Sequence, residues 1–210
     1  MSTLCERTPD LTVIVPVYNL ENYIKPLLIT LKAQELGDYK VEYIFVLNNC
    51  TDNSKAVIQD SNLPCTIINC KIQGCGPARN AGLDIANGTY IWMMDGDDWL
   101  LTEKAIKEVL DKAYAEDLNI LRIRYTSDTY QYQYFSMVWQ YLLRREFIDG
   151  VRFPDFQPGE DDAFMANVLA KAGHTRSTYM RLPRTSQPLY FYNYGRDGSN
   201  MMRYYAGEKI

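Results

Sequence analysis

The sequence has little of what several classes of protein need. Its 210 residues contain one histidine, His174, and five cysteines that form no C-x-x-C pair. A zinc site is therefore not expected, and any metal should be a hard cation held by carboxylates. The formal net charge is −4, so nothing attracts a phosphate backbone at long range. We expect no nucleic-acid partner.

The sequence also lacks a membrane-spanning or secretory segment. No stretch approaches the roughly 18 consecutive apolar residues of a membrane helix. Residues 1–10 include Cys5, Glu6, Arg7 and Asp10, where a signal peptide needs a basic region followed by an apolar one. The odd number of cysteines cannot close into a complete disulfide set. These features predict a soluble, cytoplasmic protein in a reducing compartment, and the length predicts a single domain over 1–210.

Short apolar runs alternate with helical patterns through the first half of the chain. Runs at 11–15, 41–47, 66–68 and 89–94 are typical of strands buried on both faces. Helices are predicted at 20–34, 51–60 and 77–86, with Pro26 in the first turn or at a kink. The alternation predicts an α/β fold with a mainly parallel sheet flanked by helices. Ligands bind beyond the carboxyl ends of such strands, which selects the loops 16–19, 48–52, 74–79 and 95–99.

The second half is less regular. Helices are predicted at 103–116 and 161–172, and strands at 120–125 and 188–194. The tyrosine-rich segment 126–135 suggests an antiparallel excursion or a mobile segment, and the segment 137–148 suggests a strand leading into a short helix.

Two acidic clusters carry the chemistry that the sequence suggests. Asp95, Asp97 and Asp98 follow an apolar strand, and crowded carboxylates need a cation or protons. The cluster fits a Mg²⁺ or Mn²⁺ site that also holds a diphosphate, or a solvated acidic turn. The second cluster, 160–162, opens a helix. Carboxylates there complement the helix dipole, and one of them could also act as a general base.

Five motifs, in this order, resemble the large inverting glycosyltransferase family of the GT-A fold known as family two. They are VIVPVYN at 13–19, VLNNCTDNS at 46–54, GCGPARNAGL at 74–83, WMMDGDDW at 92–99 and GEDDAF at 159–164. The likeness covers about residues 11–173. It implies a Rossmann-like GT-A domain with a nucleotide-binding half at about 11–99 and an acceptor-side half at about 100–210. A small viral or bacterial stand-alone enzyme fits this pattern.

The resemblance assigns the donor site. Pro16 and Tyr18 would lie at the nucleobase, with Tyr18 stacking on it. Asn48 stands where the family commonly has an Asp that recognises uracil, and an amide can both accept and donate. Arg79 would contact phosphate or ribose, or form an ion pair with Asp97 or Asp98. Arg196 lies in a late basic loop that would close over the diphosphate.

The resemblance also assigns the reaction. Asp95 and Asp97 would hold Mn²⁺ or Mg²⁺, with Asp95 also placed to contact ribose, and Asp161 would be the general base, with Asp162 as the alternative. The expected activity is transfer of a sugar from a nucleotide-sugar, a UDP-sugar or another, to a hydroxyl of a glycan or glycoprotein. Two other functions remain open. A sugar-nucleotide nucleotidylyltransferase would need a Gly-rich basic loop where this chain has residues 16–19, and a non-catalytic nucleotide-sugar-binding module is suggested by Asn48 alone.

Overall fold

A computed structural model describes residues 7–127, 137–155, 158–173, 179–182 and 186–193. Its amino-terminal part alternates strands and helices as the sequence predicts. The elements are β1 (Leu11–Val17), α1 (Lys25–Lys32), β2 (Val41–Asn48), α2 (Ser54–Asp60), β3 (Thr66–Cys70), α3 (Cys75–Ile85) and β4 (Tyr90–Met93). The four strands are parallel and lie in the order β3-β2-β1-β4. The carboxyl ends of all four strands therefore lie at one edge of the sheet.

The remaining elements extend this sheet and add a second, smaller one. They are β5 (Trp99–Leu100), α4 (Ala105–Ala115), β6 (Ile120–Arg122), β7 (Tyr125–Ser127), β8 (Tyr141–Arg144), α5 (Glu160–Ala172), β9 (Tyr179–Arg181) and β10 (Tyr190–Tyr192). The large sheet continues β4-β8-β6-β9, with β8 antiparallel to both β4 and β6. The small sheet has the order β5-β10-β7. The expectation of an α/β fold with a mainly parallel sheet is confirmed.

Apolar side chains fill both faces of the large sheet. On β1, Val13 and Val15 face one core cluster, which also contains the buried leucines of α1 and the buried residues of α4. Ile14 faces the other cluster, where Ala78 of α3 and Phe164 of α5 pack. Because alternate residues of a strand point to opposite faces, a strand covered on both sides must be apolar throughout. This explains why β1 is apolar apart from Thr12, whose buried hydroxyl is hydrogen-bonded to Glu42 and to the N–H of Gly88.

Two glycines position α3 against the sheet. A Cβ atom on Gly82 would lie 2.4 Å from Cγ2 of Ile14, so only glycine allows the helix to approach β1 this closely. Gly74 precedes the helix with a φ of 126°, a backbone conformation that residues other than glycine rarely adopt. The first turns of α3 are thereby fixed beside the carboxyl ends of β1 and β2.

Several predicted boundaries differ from the structure. The first helix begins at Lys25 rather than at residue 20, and Pro26 lies in its first turn, where the missing N–H costs nothing. The strand predicted at 120–125 is broken into β6 and β7. The strand expected within 137–148 is present as β8, but turns rather than a helix follow it, and a 3₁₀ turn at Val138–Gln140 precedes it. In the described part of the chain, no helix has the length and apolarity needed to cross a bilayer.

Candidate functional site

The carboxyl edge of the parallel strands brings the predicted site residues together. Tyr18 follows β1, Asn48 ends β2, Arg79 lies in α3 and Asp95 follows β4. Asp161 approaches the same place from the first turn of α5. Arg196 lies outside the described residues, as does most of the tyrosine-rich segment 126–135.

Arg79 connects the two acidic clusters. Its side chain is 4% exposed. Nη2 donates to Oδ1 of Asp95 at 2.9 Å, and Nη1 donates to Oδ1 of Asp161 at 2.6 Å and to Oε1 of Glu160 at 3.4 Å. The expected ion pair of Arg79 with Asp97 or Asp98 is therefore replaced by one with Asp95 and the carboxylates of α5. The guanidinium fork suits this arrangement because its nitrogens point toward different partners.

The charges of this cluster shift the pKa values of its members. Burial raises the pKa of Asp161 to about 6, although the charge of Arg79 lowers it; Asp95 and Glu160 raise it further. For Arg79, burial would lower the pKa, but the charges of Asp161 and Asp95 outweigh burial and the pKa rises. Arg79 is therefore always a cation, whereas Asp161 can gain or lose a proton near neutral pH.

Packing holds Arg79 in place from the other side. The guanidinium carbon lies 5.4 Å from the centroid of the Phe153 ring, within the range of a cation–π contact. The side chain of Asn80 donates to the carbonyl of Phe153 and accepts from its N–H, both at 2.9 Å. Phe153 in turn stacks on Phe164 of α5, with centroids 4.0 Å apart. The contacts tie α3 to α5, so the two helices present their polar residues to one site.

Asp161 and Asp162 differ in orientation. Asp161 is buried, and its second oxygen, Oδ2, accepts a hydrogen bond from the backbone N–H of Val138 at 3.1 Å. Asp162 is exposed on the outer side of the first turn. Asp161 is therefore the carboxylate of this pair that the helix directs toward Arg79 and Asp95.

The acidic loop after β4 is held by β10. Asp98 is fully buried; Oδ2 accepts from the hydroxyl of Tyr190 at 2.5 Å and Oδ1 accepts from the N–H of Asn193 at 2.8 Å. The same hydroxyl accepts from the backbone N–H of Asp95 at 3.2 Å. Burial, with the charges of Asp97 and Asp95, raises the pKa of Asp98 well above its usual range. Asp98 is thus an anchor of the loop.

The carboxylates of this loop fit a hard cation that binds together with a substrate. Among the described residues, no group of three or more His, Cys, Asp and Glu side chains gathers into a metal site. Mg²⁺ and similar ions, however, are commonly bound through one or two carboxylates plus substrate phosphates. Asp95, whose side chain is 28% exposed, and the half-buried Asp97 are carboxylates of that kind. Asp98 is not, because it is fully buried and its oxygens accept from Tyr190 and Asn193.

The three residues expected at the nucleobase differ in exposure and in their contacts. Pro16 is buried inside β1, in register with Val46 of β2. Tyr18, two residues on, is 42% exposed, so part of its ring is open for stacking. Asn48 is buried, and its carboxamide bonds to the backbone of the last residue of β3, Cys70, and of Ile72 and Gly74 beyond it.

Sequence reasoning missed the supporting contacts of Tyr190 and Val138. The sequence pattern around Tyr190 predicts only a short aromatic strand. It does not indicate that the Tyr190 hydroxyl bonds to Asp98, 92 positions away in the chain. Val138 contributes a backbone N–H, which no sequence pattern marks. Glu160 was visible in the GEDDAF motif, but its ion pair with Arg79 was not expected.

Comparison with known sequences identifies relatives that are described as glycosyltransferases. The family model described as glycosyl transferase family 2 matches residues 12–181. EpsJ of Bacillus subtilis, called an uncharacterized glycosyltransferase, is 28% identical over 198 residues, covering 78% of this chain and 57% of EpsJ. The chain thus spans little more than half of that relative.

Two solved structures share the fold. Residues 1–349 of Staphylococcus aureus TarS, in complex with UDP-GlcNAc, superpose with a TM-score of 0.80 at 20% identity, covering 92% of this chain and 60% of that one. The Pyrobaculum calidifontis mannosyltransferase PcManGT, in complex with GDP-Man and Mn²⁺, superposes with a TM-score of 0.71 at 16% identity, covering 94% and 61%. The expected Rossmann-like GT-A architecture is confirmed.

Proposed function

Because this chain belongs to glycosyl transferase family 2, we propose that it transfers a sugar from a nucleotide-sugar to an acceptor hydroxyl, inverting the anomeric centre. The observation that supports this best is the meeting of Asp95 and Asp161 at Arg79. Transfer from a diphosphate donor needs one acidic group near the leaving diphosphate and another near the attacking hydroxyl. Both are present within the reach of one guanidinium.

The donor we propose is a UDP-sugar. TarS has been solved with UDP-GlcNAc and with UDP, and the more distant PcManGT with GDP-Man, so nucleoside diphosphate sugars are the ligands of these neighbours. The exposed ring of Tyr18 can stack on a base, whatever its hydrogen-bonding pattern. The donor would occupy the half of the chain at about 11–99, with the acceptor on the side formed by about 100–210.

Asp95 and Asp97 would hold Mn²⁺ or Mg²⁺ together with the diphosphate. Mn²⁺ is present in the complex of PcManGT, which supports a divalent ion here. A bound divalent ion stabilises the negative charge that builds on a departing diphosphate. The Tyr190 hydroxyl and Asp98 fix the backbone of this loop, so the two carboxylates are oriented before a ligand arrives.

Asp161 would remove the proton of the acceptor hydroxyl. A general base works best when its pKa lies near the working pH, and burial raises that of Asp161 to about 6. It is then a stronger base than an ordinary Asp and is still ionised at neutral pH. The bonds from Arg79 and from the N–H of Val138 fix the direction of the carboxylate. Asp162, by contrast, is exposed.

The proposal is tested by incubating the purified chain with a panel of nucleotide-sugars, with Mn²⁺ or with a chelator. The panel is measured with and without a mixture of sugar acceptors, and the readout is release of the nucleoside diphosphate. We expect metal-dependent release from at least one UDP-sugar. Binding of UDP without turnover of any donor would instead indicate a non-catalytic module, and pyrophosphate-dependent formation of a nucleoside triphosphate would indicate a nucleotidylyltransferase.

A further inference from the structure

Asn48 occupies the position at which the sequence resemblance expects a side chain that recognises the base. We propose that Asn48 is instead a positioning residue, whose carboxamide holds the segment 70–74 in the shape that receives the nucleotide, and that it does not select the base. This inference rests on the proposed function, because it takes the ligand of this edge to be a nucleotide. It further predicts that an Asp at this position would lower the stability of the protein.

The hydrogen bonds of Asn48 leave little of its carboxamide for a ligand. Nδ2 donates to the carbonyl of Ile72 at 2.6 Å and to that of Cys70 at 3.3 Å. Oδ1 accepts from the N–H of Gly74 at 2.9 Å. An amide nitrogen has two hydrogens, and both are used. The residue is 3% exposed, so the remaining lone pair of Oδ1 is also largely shielded from solvent.

The segment that Asn48 holds is part of the binding edge. It begins at Cys70, the last residue of β3, and leads through Gly74 into α3, the helix that carries Arg79. Within it, Ile72 is 65% exposed, although it is a large apolar side chain. The exposed neighbour Asn49 bonds to the same segment, through the carbonyl of Lys71 at 3.2 Å and the side chain of Gln73 at 3.0 Å. The shape of this segment therefore depends on the asparagines that end and follow β2.

A carboxylate could not replace the carboxamide in this setting. An ionised Asp has only acceptor oxygens. One of them would face the carbonyl oxygen of Ile72 at the distance where Nδ2 now donates, and the carbonyl of Cys70 would also lose its donor. Like partial charges would repel each other, and a buried charge would have no cation among its present partners. Asn48→Asp, which brings the chain closer to the residue common in its family, should therefore destabilise the fold.

The experiment compares Asn48→Asp with Asn69→Asp. Asn69 lies on β3 and is exposed, so it experiences the same chemical change without the three buried bonds. Thermal unfolding and calorimetric titration with UDP, GDP and CDP, in Mn²⁺, are measured for both variants and for the wild type. A third variant, Asn48→Ala, removes the bonds without adding a charge and provides the base selectivity if Asn48→Asp does not fold.

We expect Asn48→Asp to lower the melting temperature by roughly 4 °C or more, and Asn69→Asp to leave it within about 1 °C. In Asn48→Ala the affinities for the three nucleotides should fall by a common factor, on the order of tenfold. Two results would overturn the inference: an Asn48→Asp protein that binds UDP as tightly as the wild type at an unchanged melting temperature, or a loss confined to one nucleotide. A wild type that binds no nucleotide would contradict the proposed function instead, and the melting temperatures would still decide whether Asn48 holds the segment.

Discussion

Arg79 and Asp161 are 82 positions apart in the sequence, yet Nη1 of one lies 2.6 Å from Oδ1 of the other. The contact joins the helix after β3 to the helix that carries the second acidic cluster. Because the same guanidinium also binds Asp95, one cation sets the relative position of all three segments. The proposed reaction depends on this arrangement.

Replacement of Arg79 by lysine should destabilise the protein. A lysine ammonium is a single point charge and cannot bridge Asp95 and Asp161 as the guanidinium does. Loss of a partner from a buried ion pair costs about 3–5 kcal/mol, and Arg79→Lys should lose a large part of that in the free energy of unfolding by denaturant. The control is Arg152→Lys, an exposed residue paired with Asp84 at 3.5 Å, for which we expect a loss below about 1 kcal/mol. Equal losses in the two variants would show that the cluster is not held by Arg79.

Removal of the Tyr190 hydroxyl should weaken the acidic loop. Tyr190→Phe leaves an oxygen of buried Asp98 and the N–H of Asp95 without their partner, at a cost of about 1–3 kcal/mol. We also expect weaker binding of UDP in Mn²⁺, measured by titration, because the loop carries Asp95 and Asp97. Tyr114→Phe is the control, since its hydroxyl bonds to Asp10, before the start of β1. Its effect should be confined to stability; a similar loss of UDP binding in the control would argue against the role given to Tyr190.

The rate of transfer should depend on the ionisation of Asp161. Since burial raises the pKa of this carboxyl group to about 6, the rate at saturating donor should rise with pH through that value and level off above it. The sign follows from the role, because only the ionised form accepts a proton. Initial rates measured between about pH 5 and pH 8 would show this limb. A rate that is constant over the range would mean that Asp161 does not titrate in the rate-limiting step.

Binding of the nucleotide should require both a divalent ion and Asp97. Asp97→Asn should lower the affinity for UDP in Mn²⁺ by on the order of tenfold or more, since one carboxylate ligand is lost. In the presence of a chelator, the wild type and the variant should both bind UDP weakly and to the same extent. Asp60→Asn, at an exposed position in α2, provides the charge-matched control. Metal-independent binding of UDP by the wild type would contradict the assignment of Asp95 and Asp97.

The parallel half of the fold could be predicted because its signals are local. Runs such as 11–15 identify β1, and the rule that ligands bind at the carboxyl ends of parallel strands identified the loop that contains Asp95. The end of this strand was predicted too early, because β1 continues beyond residue 15 through Pro16 to Val17. Proline lacks an N–H, but it can remain in the strand where the carbonyl alone is used.

The partners within the site could not be predicted in the same way. The pairing of Arg79 with Asp161 rather than with Asp98 depends on how α5 packs against α3, a contact between distant parts of the chain. In the segment 137–148 the helical turn precedes the strand instead of following it, and its apolar residues, which fit a strand and a helix equally well, do not specify that order. Neither periodicity nor spacing specifies which side chains meet across a core.

The variant Asp161→Asn tests most directly the proposal that Asp161 is the base and that other residues of the site hold the sugar donor. Asparagine is similar in shape but cannot accept the proton, so release of the nucleoside diphosphate in the presence of acceptor should fall by about 10²–10⁴-fold. The affinity for UDP in Mn²⁺ should change little, and the exposed Asp162→Asn should retain its rate.

The decisive measurement is therefore the rate of Asp161→Asn beside that of Asp162→Asn, once the donor is known and UDP binding has been verified in both. If Asp161 is the base, the first variant alone should show a large loss. An Asp161→Asn protein that turns over at the rate of the wild type, or a loss found only in Asp162→Asn, would contradict this assignment.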